Sequence, residues 1–281
     1  MTMRNLLLPI FEGIEFDNQL SVALDIARAF KSHIDAVFLR PEPQSTLPPV
    51  MAAAGVTAAE IEREGRKAEA FAHAHFDAWC RENRVAGQRD DVGAMVATWS
   101  ERIGPLESAI ARRGRLSDLI IVNKPDFYGS RTERAFDTAV FETGRPTLVL
   151  PTHVPAAILD HLVVAWNGSL EAARAVAGAM PLFHKAKRVS VFSALEEGES
   201  TEPDLELIDW LEWHGINAVL LRPGSVASSI GAELLETAAH QSATLVVMGA
   251  YTHRRLRQML LPGGVTRHVL RHGTLPVLMA H

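Results

Sequence analysis

Two groups of glycines bracket a basic stretch near the end of the chain: Gly249 opens "GAYTHRRLRQMLLPGG", and Gly263 and Gly264 close it. Glycine lets backbone N–H groups come close to a phosphate. The helical pattern that follows, "VTRHVLRH", would point its partial positive charge back at the same place. Thr266 adds a hydroxyl, and Arg254, Arg255 and Arg257 add positive charge. The chemistry these residues suit is the holding of a phosphate. Other constellations suit their chemistry less well. His268 and His272, four apart, have the spacing to share a metal, but Arg267 and Arg271 beside them oppose a cation, and an exposed helix face is expected. His73 and His75, two apart, diverge on a helix and read as surface or packing residues. There is no G-x-S-x-G elbow, no Gly-Lys dipeptide and no G-x-G-x-x-G run. A hydrolase elbow, a Walker loop and a dinucleotide fingerprint are thereby excluded. Ser169 in "NGSLEAARA" reads as a helix cap rather than a nucleophile. No catalytic residue and no metal ligand is assigned, and the chain is expected to be a binding or signalling protein, not an enzyme.

The elements that must position these residues are written twice. "NLLLPIFEGIEFDNQLSVALDIARAFKSHIDAVFL" begins at Asn5 and "HLVVAWNGSLEAARAVAGAMPLFHKAKRVSVFSAL" at His161. Each gives an aliphatic strand, a turn, an alanine-rich amphipathic helix and a second strand, the alternation expected of βαβ units. Both halves also end alike, with buried runs "LIIV" and "LVVM", then a glycine loop, a helix, and a last strand introduced by Pro146 or Pro276. Runs apolar on both faces fit a parallel sheet covered on both sides. A proline-bearing linker, "PTHVPAAILD", separates the halves. The spacing predicts two domains, residues 1–152 and 158–281.

The first half carries about 30 more residues than the second, because Asn5 to Asp118 spans 113 positions and His161 to Thr244 spans 83. The excess centres on a long helix over residues 57–84. Thr57 and Glu60 have the spacing of a capping box, and Ile61, Ala68, Ala72, Phe76 and Trp79 share one face. Cys80, the single cysteine, lies in that apolar stripe and is expected in the core. Trp210 and Trp213 in "LIDWLEWHG" are likewise expected in the core.

The motifs "VVAWNGS", "LVVMGAYTHRRLR", "GGVTRHVL" and "PVLM", in that order, resemble the universal stress protein family, specifically its tandem two-domain members. The resemblance implies an α/β fold of two tandem doubly wound domains, each a five-stranded parallel sheet with helices on both faces. It further implies that the last strands, "PTLVLP" and "PVLMAH", pair across a pseudo-twofold axis, so that one chain imitates a homodimer; a homodimer of the whole chain is a further option. Some members bind ATP through G-x2-G-x9-G-(S/T) after the fourth strand, with an aspartate at the end of the first. Carried over residue by residue, Gly249 matches the first glycine and Thr252 stands at the second. Gly263, Gly264, Val265 and Thr266 follow at the far end, with Pro262 inserted. Asn167 stands for the aspartate. The nucleotide surface so implied comprises Ala165, Asn167, Met248, Gly249, Thr252, Arg254, Gly263, Gly264, Val265 and Thr266. Its ligand would be ATP or another adenine nucleotide, with Mg. Thr252 tolerates a positive φ less readily than glycine, and Asn167 lacks the charge-assisted acceptor of a carboxylate. In the first half, Phe11 and Glu12 occupy the strand end and "VNKPDFYGSRTERAF" has no paired glycines, so no nucleotide is expected there.

A net charge of −5 argues against nucleic acid as a partner, and no apolar run approaches the roughly 20 residues of a membrane span. A cytoplasmic stress-response protein is expected. The alternatives are a nucleotide-free adaptor and, behind it, a weak ATP phosphohydrolase.

Overall fold

The computed structural model describes residues 2–42, 55, 57–87, 95–126, 128–193, 202–222, 229–250 and 264–281. Ten strands and eight helices are defined among them. The first half runs β1 (Asn5–Ile10), α1 (Asp17–Phe30), β2 (His33–Arg40), α2 (Ala58–Asn83), β3 (Ala97–Ile103), α3 (Leu106–Gly114), β4 (Leu119–Asn123), α4 (Arg131–Glu142) and β5 (Thr147–Leu150). The second repeats it as β6 (His161–Ala165), α5 (Leu170–Phe183), β7 (Arg188–Phe192), α6 (Glu202–Trp213), β8 (Ala218–Leu221), α7 (Ile230–His240), β9 (Leu245–Gly249), α8 (Val265–His272) and β10 (Val277–Ala280).

The strand order is β3-β2-β1-β4-β5-β10-β9-β6-β7-β8, a single ten-stranded sheet. The two parallel five-stranded sheets read from the sequence are therefore halves of one sheet. They are joined where β5 and β10 run antiparallel, with Val149 opposite Val277 and Leu148 opposite Leu278. This pairing satisfies two edges that would otherwise expose unpaired backbone groups.

The side chains alternate between two cores. Leu6, Leu8 and Ile10 of β1 pack under α1, α2, α5 and α6, and Leu7 packs with Phe11 on the side of α3, α4, α7 and α8. Pro146 and Pro276 precede their strands, and each offers only its carbonyl, to Ile120 and Val246 respectively.

The long first-half helix begins with the expected capping box, in which the Thr57 hydroxyl accepts from the Glu60 amide and the Glu60 carboxylate accepts from the Thr57 amide. It lies across α1 and β3, burying Ala72, Phe76 and Cys80. Its position explains why two histidines that diverge on the helix both make contacts. His73 stacks on Trp99 at 5.2 Å, and His75 meets Phe16 edge-on while its Nε2 lies 2.6 Å from Asp17. Burial pushes the Cys80 thiol up to about 11, which makes it a packing residue and not a nucleophile.

Trp213 departs from expectation: it is 81% exposed, whereas Trp210 packs against the core. The buried stripe of α6 is Asp204, Leu207 and Leu211, and a residue two positions after Leu211 points to the opposite side at 100° per residue. No helix among the described residues is long and apolar enough to cross a membrane.

Candidate functional site

In each half the chain moves outward from the central strand and then returns to its other side. The order thus reverses between β1 and β4 and again between β6 and β9. Ligands of doubly wound sheets lie outside the carboxyl ends of the strands at such reversals. The two crevices are built from matching positions and filled differently.

In the second half β6 and β9 stay paired to their ends, from Leu162 opposite Leu245 to Ala165 opposite Met248. Met248 is buried, and Ala165 is half-buried beside it. Asn167 follows β6 and is exposed. Its Oδ1 accepts from the Ser169 amide at 3.2 Å, and Ser169 in turn caps α5 by accepting from Ala172. The cap assigned to Ser169 from the sequence is thus observed. Gly249 ends β9 under the first turn of α5: a Cβ there would lie 2.7 Å from the Ala172 nitrogen and 2.8 Å from the Glu171 carbonyl carbon. This glycine is demanded by helix packing, a reason the motif alone does not reveal.

In the chain α8 follows β9, and it packs against α7 on the side of the sheet away from α5. Its N-cap is Gly264, whose conformation (φ −72°) any residue adopts, and among the described residues no atom lies within 4 Å of where a Cβ would be. The first turn holds no acidic residue, and Thr266 is buried within it. The sequence-derived site residues Thr252, Arg254 and Gly263 lie outside the described residues.

In the first half the ladder between β1 and β4 stops early, at Leu6 opposite Leu119 and Leu7 opposite Ile120. Pro9, which has no N–H, sits where Ala165 continues the ladder in the other half. Gln19, the third residue of α1, fills the gap: its Nε2 donates to the carbonyls of Pro9 (3.2 Å) and Ile121 (2.8 Å). Phe11, at the position of Asn167, is 5% exposed and packs into the core. What remains among Pro9, Phe11, Gln19, Asn123 and Thr132 is a cavity of about 10 Å³, room for one water at most. Asn123, at the position of Gly249, keeps its side chain and donates to the Glu15 carbonyl at 2.9 Å.

The matching helix N-terminus is closed as well. Ser130 caps α4 by accepting from the Glu133 amide at 3.0 Å, the Thr132 hydroxyl lies 2.8 Å from it, and Thr132 bonds the Asp126 carboxylate at 3.1 Å. Glu133 reaches back to the Gly129 amide. The chain's own oxygens thus occupy the corner a phosphate would take. Gln19 and the Asp126–Thr132 pair were not singled out in the sequence. Pro9 in the middle of a central strand was the available signal, since a missing ladder donor must be compensated.

Two other clusters lie away from the crevices. His161 Nε2 is 2.9 Å from Ser190 Oγ, a pairing that resembles a nucleophile and its base. Both residues are buried, His161 at the start of β6 and Ser190 in the middle of β7, and Arg188, which only donates, lies 2.7 Å from His161 Nδ1. Nδ1 also lies 3.0 Å from the Gln241 carbonyl oxygen, and both side chains are enclosed by their neighbours, so the pair reads as a packing contact and not as a reactive dyad. Burial pushes the His161 imidazole below its usual range. The His268 and His272 rings lie 4.6 Å apart, tilted by 41°, and among the described residues no three His, Cys, Asp or Glu side chains converge as a metal site.

Comparison with known proteins follows this geometry. Residues 222–281, which include β9, α8 and β10, match the model of the universal stress protein family. The chain as a whole superposes on a universal stress protein from Archaeoglobus fulgidus DSM 4304 with TM-score 0.71 and 16% identity, covering 100% of this chain and 99% of that one. A putative universal stress protein from Pseudomonas aeruginosa UCBPP-PA14 aligns with TM-score 0.57 and 16% identity over 98% of this chain and 92% of that one. A functionally unknown protein from Pseudomonas aeruginosa PAO1 gives TM-score 0.58, again at 16% identity and with the same coverage of both chains. These likenesses establish the universal stress protein fold over both halves. No curated protein matches the sequence significantly.

Proposed function

We propose that this protein acts in the stress response by binding an adenine nucleotide in its second half, without turning it over. The observation that carries the reading is the contrast between two helix N-termini at equivalent corners. The start of α4 is filled by Ser130, Thr132, Asp126 and Glu133. The start of α8 has glycine at the cap and no acid in its first turn, and Asn167, after the central strand of the same half, is exposed. A helix N-terminus carries roughly half a positive charge, and an acid-free one favours a phosphate. The Asn167 amide suits a ribose hydroxyl as donor or acceptor. Any Mg would arrive on the phosphates.

Thermal unfolding with and without millimolar Mg-ATP tests this, using the wild type and Gly264→Asp. The aspartate would meet no atom of the described residues within 4 Å of its Cβ and would cap α8, while placing a negative charge where the phosphate sits. Stabilisation of the wild type by ligand, lost in the variant, is the expected result. Folded wild type with no shift at saturating nucleotide overturns the reading in favour of a nucleotide-free adaptor.

A further inference from the structure

Lys124 follows β4 in the first half, yet its ammonium reaches into the second. Its Nζ lies 3.2 Å from the carbonyl oxygen of Arg271 and 3.2 Å from that of Gly273. These carbonyls belong to the C-terminal end of α8, where partial negative charge and unpaired acceptors favour a cation. The chain leaves α8 tightly there: the Gly273 amide donates to the Val269 carbonyl at 2.7 Å, and a Cβ on Gly273 would meet that oxygen at 2.5 Å. Lys124 is half-buried, and burial pulls its ammonium below the usual lysine range. A desolvated cation persists where carbonyls replace its water.

The two halves differ at this position. Lys124 and Ala250 are equivalent positions, each following its fourth strand and donating its amide to the last strand, to Leu150 and Ala280 respectively. Ala250, having no charge, offers α4 no cation from this position. The last carbonyl of α4, that of Glu142, instead accepts from Arg115 of its own half at 3.1 Å. A second contact crosses the seam beside Ala250. Phe141 of α4 meets the His281 ring edge-on at 4.9 Å, and His281 Nδ1 lies 3.0 Å from the Ala250 carbonyl. An eight-residue helix of valine, threonine, arginine, histidine and leucine has little intrinsic stability, so its place is set by what holds it.

We infer that Lys124 is a positioning residue for the second-half crevice: by anchoring the C-terminus of α8 it sets where that helix presents its N-terminal N–H groups. The first half, with its own crevice sealed, thereby serves as a fixed support for the other. The inference rests on the nucleotide reading above.

The test uses the full chain carrying Lys124→Met, Lys124→Arg or, as a control, Arg115→Met, which removes the corresponding cap from α4. Amide hydrogen exchange over residues 265–272 and Mg-ATP affinity are measured together. Lys124→Met is expected to speed exchange in α8 about tenfold and weaken Mg-ATP five- to tenfold, with β4 and β5 unchanged. Lys124→Arg restores both readouts, and Arg115→Met alters neither. Wild-type binding that Lys124→Met retains in full, with or without faster exchange in α8, overturns the inference and leaves the nucleotide reading standing. A wild type that binds no nucleotide overturns that reading and the inference with it.

Discussion

The two crevices of this sheet start from the same topology and reach opposite solutions. At the position after the central strand one half has Phe11, buried, and the other Asn167, exposed. At the end of the fourth strand one has Asn123, which bonds a loop carbonyl, and the other Gly249, which lets α5 close on the backbone. In the first half a glutamine amide replaces the ladder bonds that proline forfeits, and a serine–threonine–aspartate cluster caps the helix beyond. The difference teaches that a duplicated fold keeps its switch point at no cost in stability only if something fills it, and that side chains suffice.

The largest effect that would break the comparison lies at Gly249. Gly249→Ala forces a methyl group against backbone atoms at 2.7–2.8 Å, which have no side-chain freedom to yield. A loss of about 3 kcal/mol in urea unfolding is expected. Asn123→Ala at the matching place removes one hydrogen bond and costs about 1 kcal/mol. Equal costs would show that the two strand ends are not packed differently after all.

Next comes Gln19→Leu. It leaves the Pro9 and Ile121 carbonyls buried without a donor, at about 2 kcal/mol. A change within about 0.5 kcal/mol, the ordinary scatter of surface substitutions, would mean that Gln19 does not seal the crevice.

Asp137 on α4 gives a pH signature. One of its carboxylate oxygens is buried without a partner, and burial first, then Glu133, pushes its acid from 3.8 up to about 6. The folded state therefore binds more protons than the unfolded one between about pH 4 and 6, and stability falls as the pH rises through that window. With partial solvent exposure discounting the effect, Asp137→Asn should raise stability at pH 8 by on the order of 1 kcal/mol and flatten the pH dependence. Unfolding curves at pH 4.5 and pH 8 that shift in parallel for the two proteins would remove Asp137 from this account.

The smallest effects sharpen the contrast between the helix starts. Ser130→Ala should cost about 1 kcal/mol by uncapping α4, whereas Gly264→Asp, by adding a cap, should stabilise α8 by about 0.5 kcal/mol in the absence of nucleotide. Opposite signs in denaturant titrations are required. Destabilisation by Gly264→Asp would mean that the first turn of α8 is already satisfied.

Much of the frame was legible in the sequence because its signals are local. The duplication, the alternating strands and helices, the capping box at Thr57 and Glu60 and the serine cap at Ser169 depend on residues within a few positions of one another. The site was legible only in outline. Gly249 and Gly264 were found, but the motif attributes both to phosphate, while packing against α5 accounts for Gly249. Gln19 reads as one polar position in an amphipathic helix, and only its reach to Pro9 and Ile121, 102 residues away in the second case, shows its use. Trp213 was expected inside because aromatic residues are usually buried, yet the phase of α6 turns it outward.

By itself the sequence determined the period of the hydrophobic pattern, and with it the repeat, the α/β class and the caps, since these follow from backbone geometry over a few residues. The pairing of β5 with β10 was implied by the resemblance and is observed; tertiary structure alone decided that Gln19, Phe11 and the Asp126–Thr132 pair seal the first-half crevice, and that Lys124 of the first half holds the end of α8 in the second. Those outcomes depend on which distant atoms meet across the sheet, and a burial or a hydrogen bond acquires its energy only once both partners have left water.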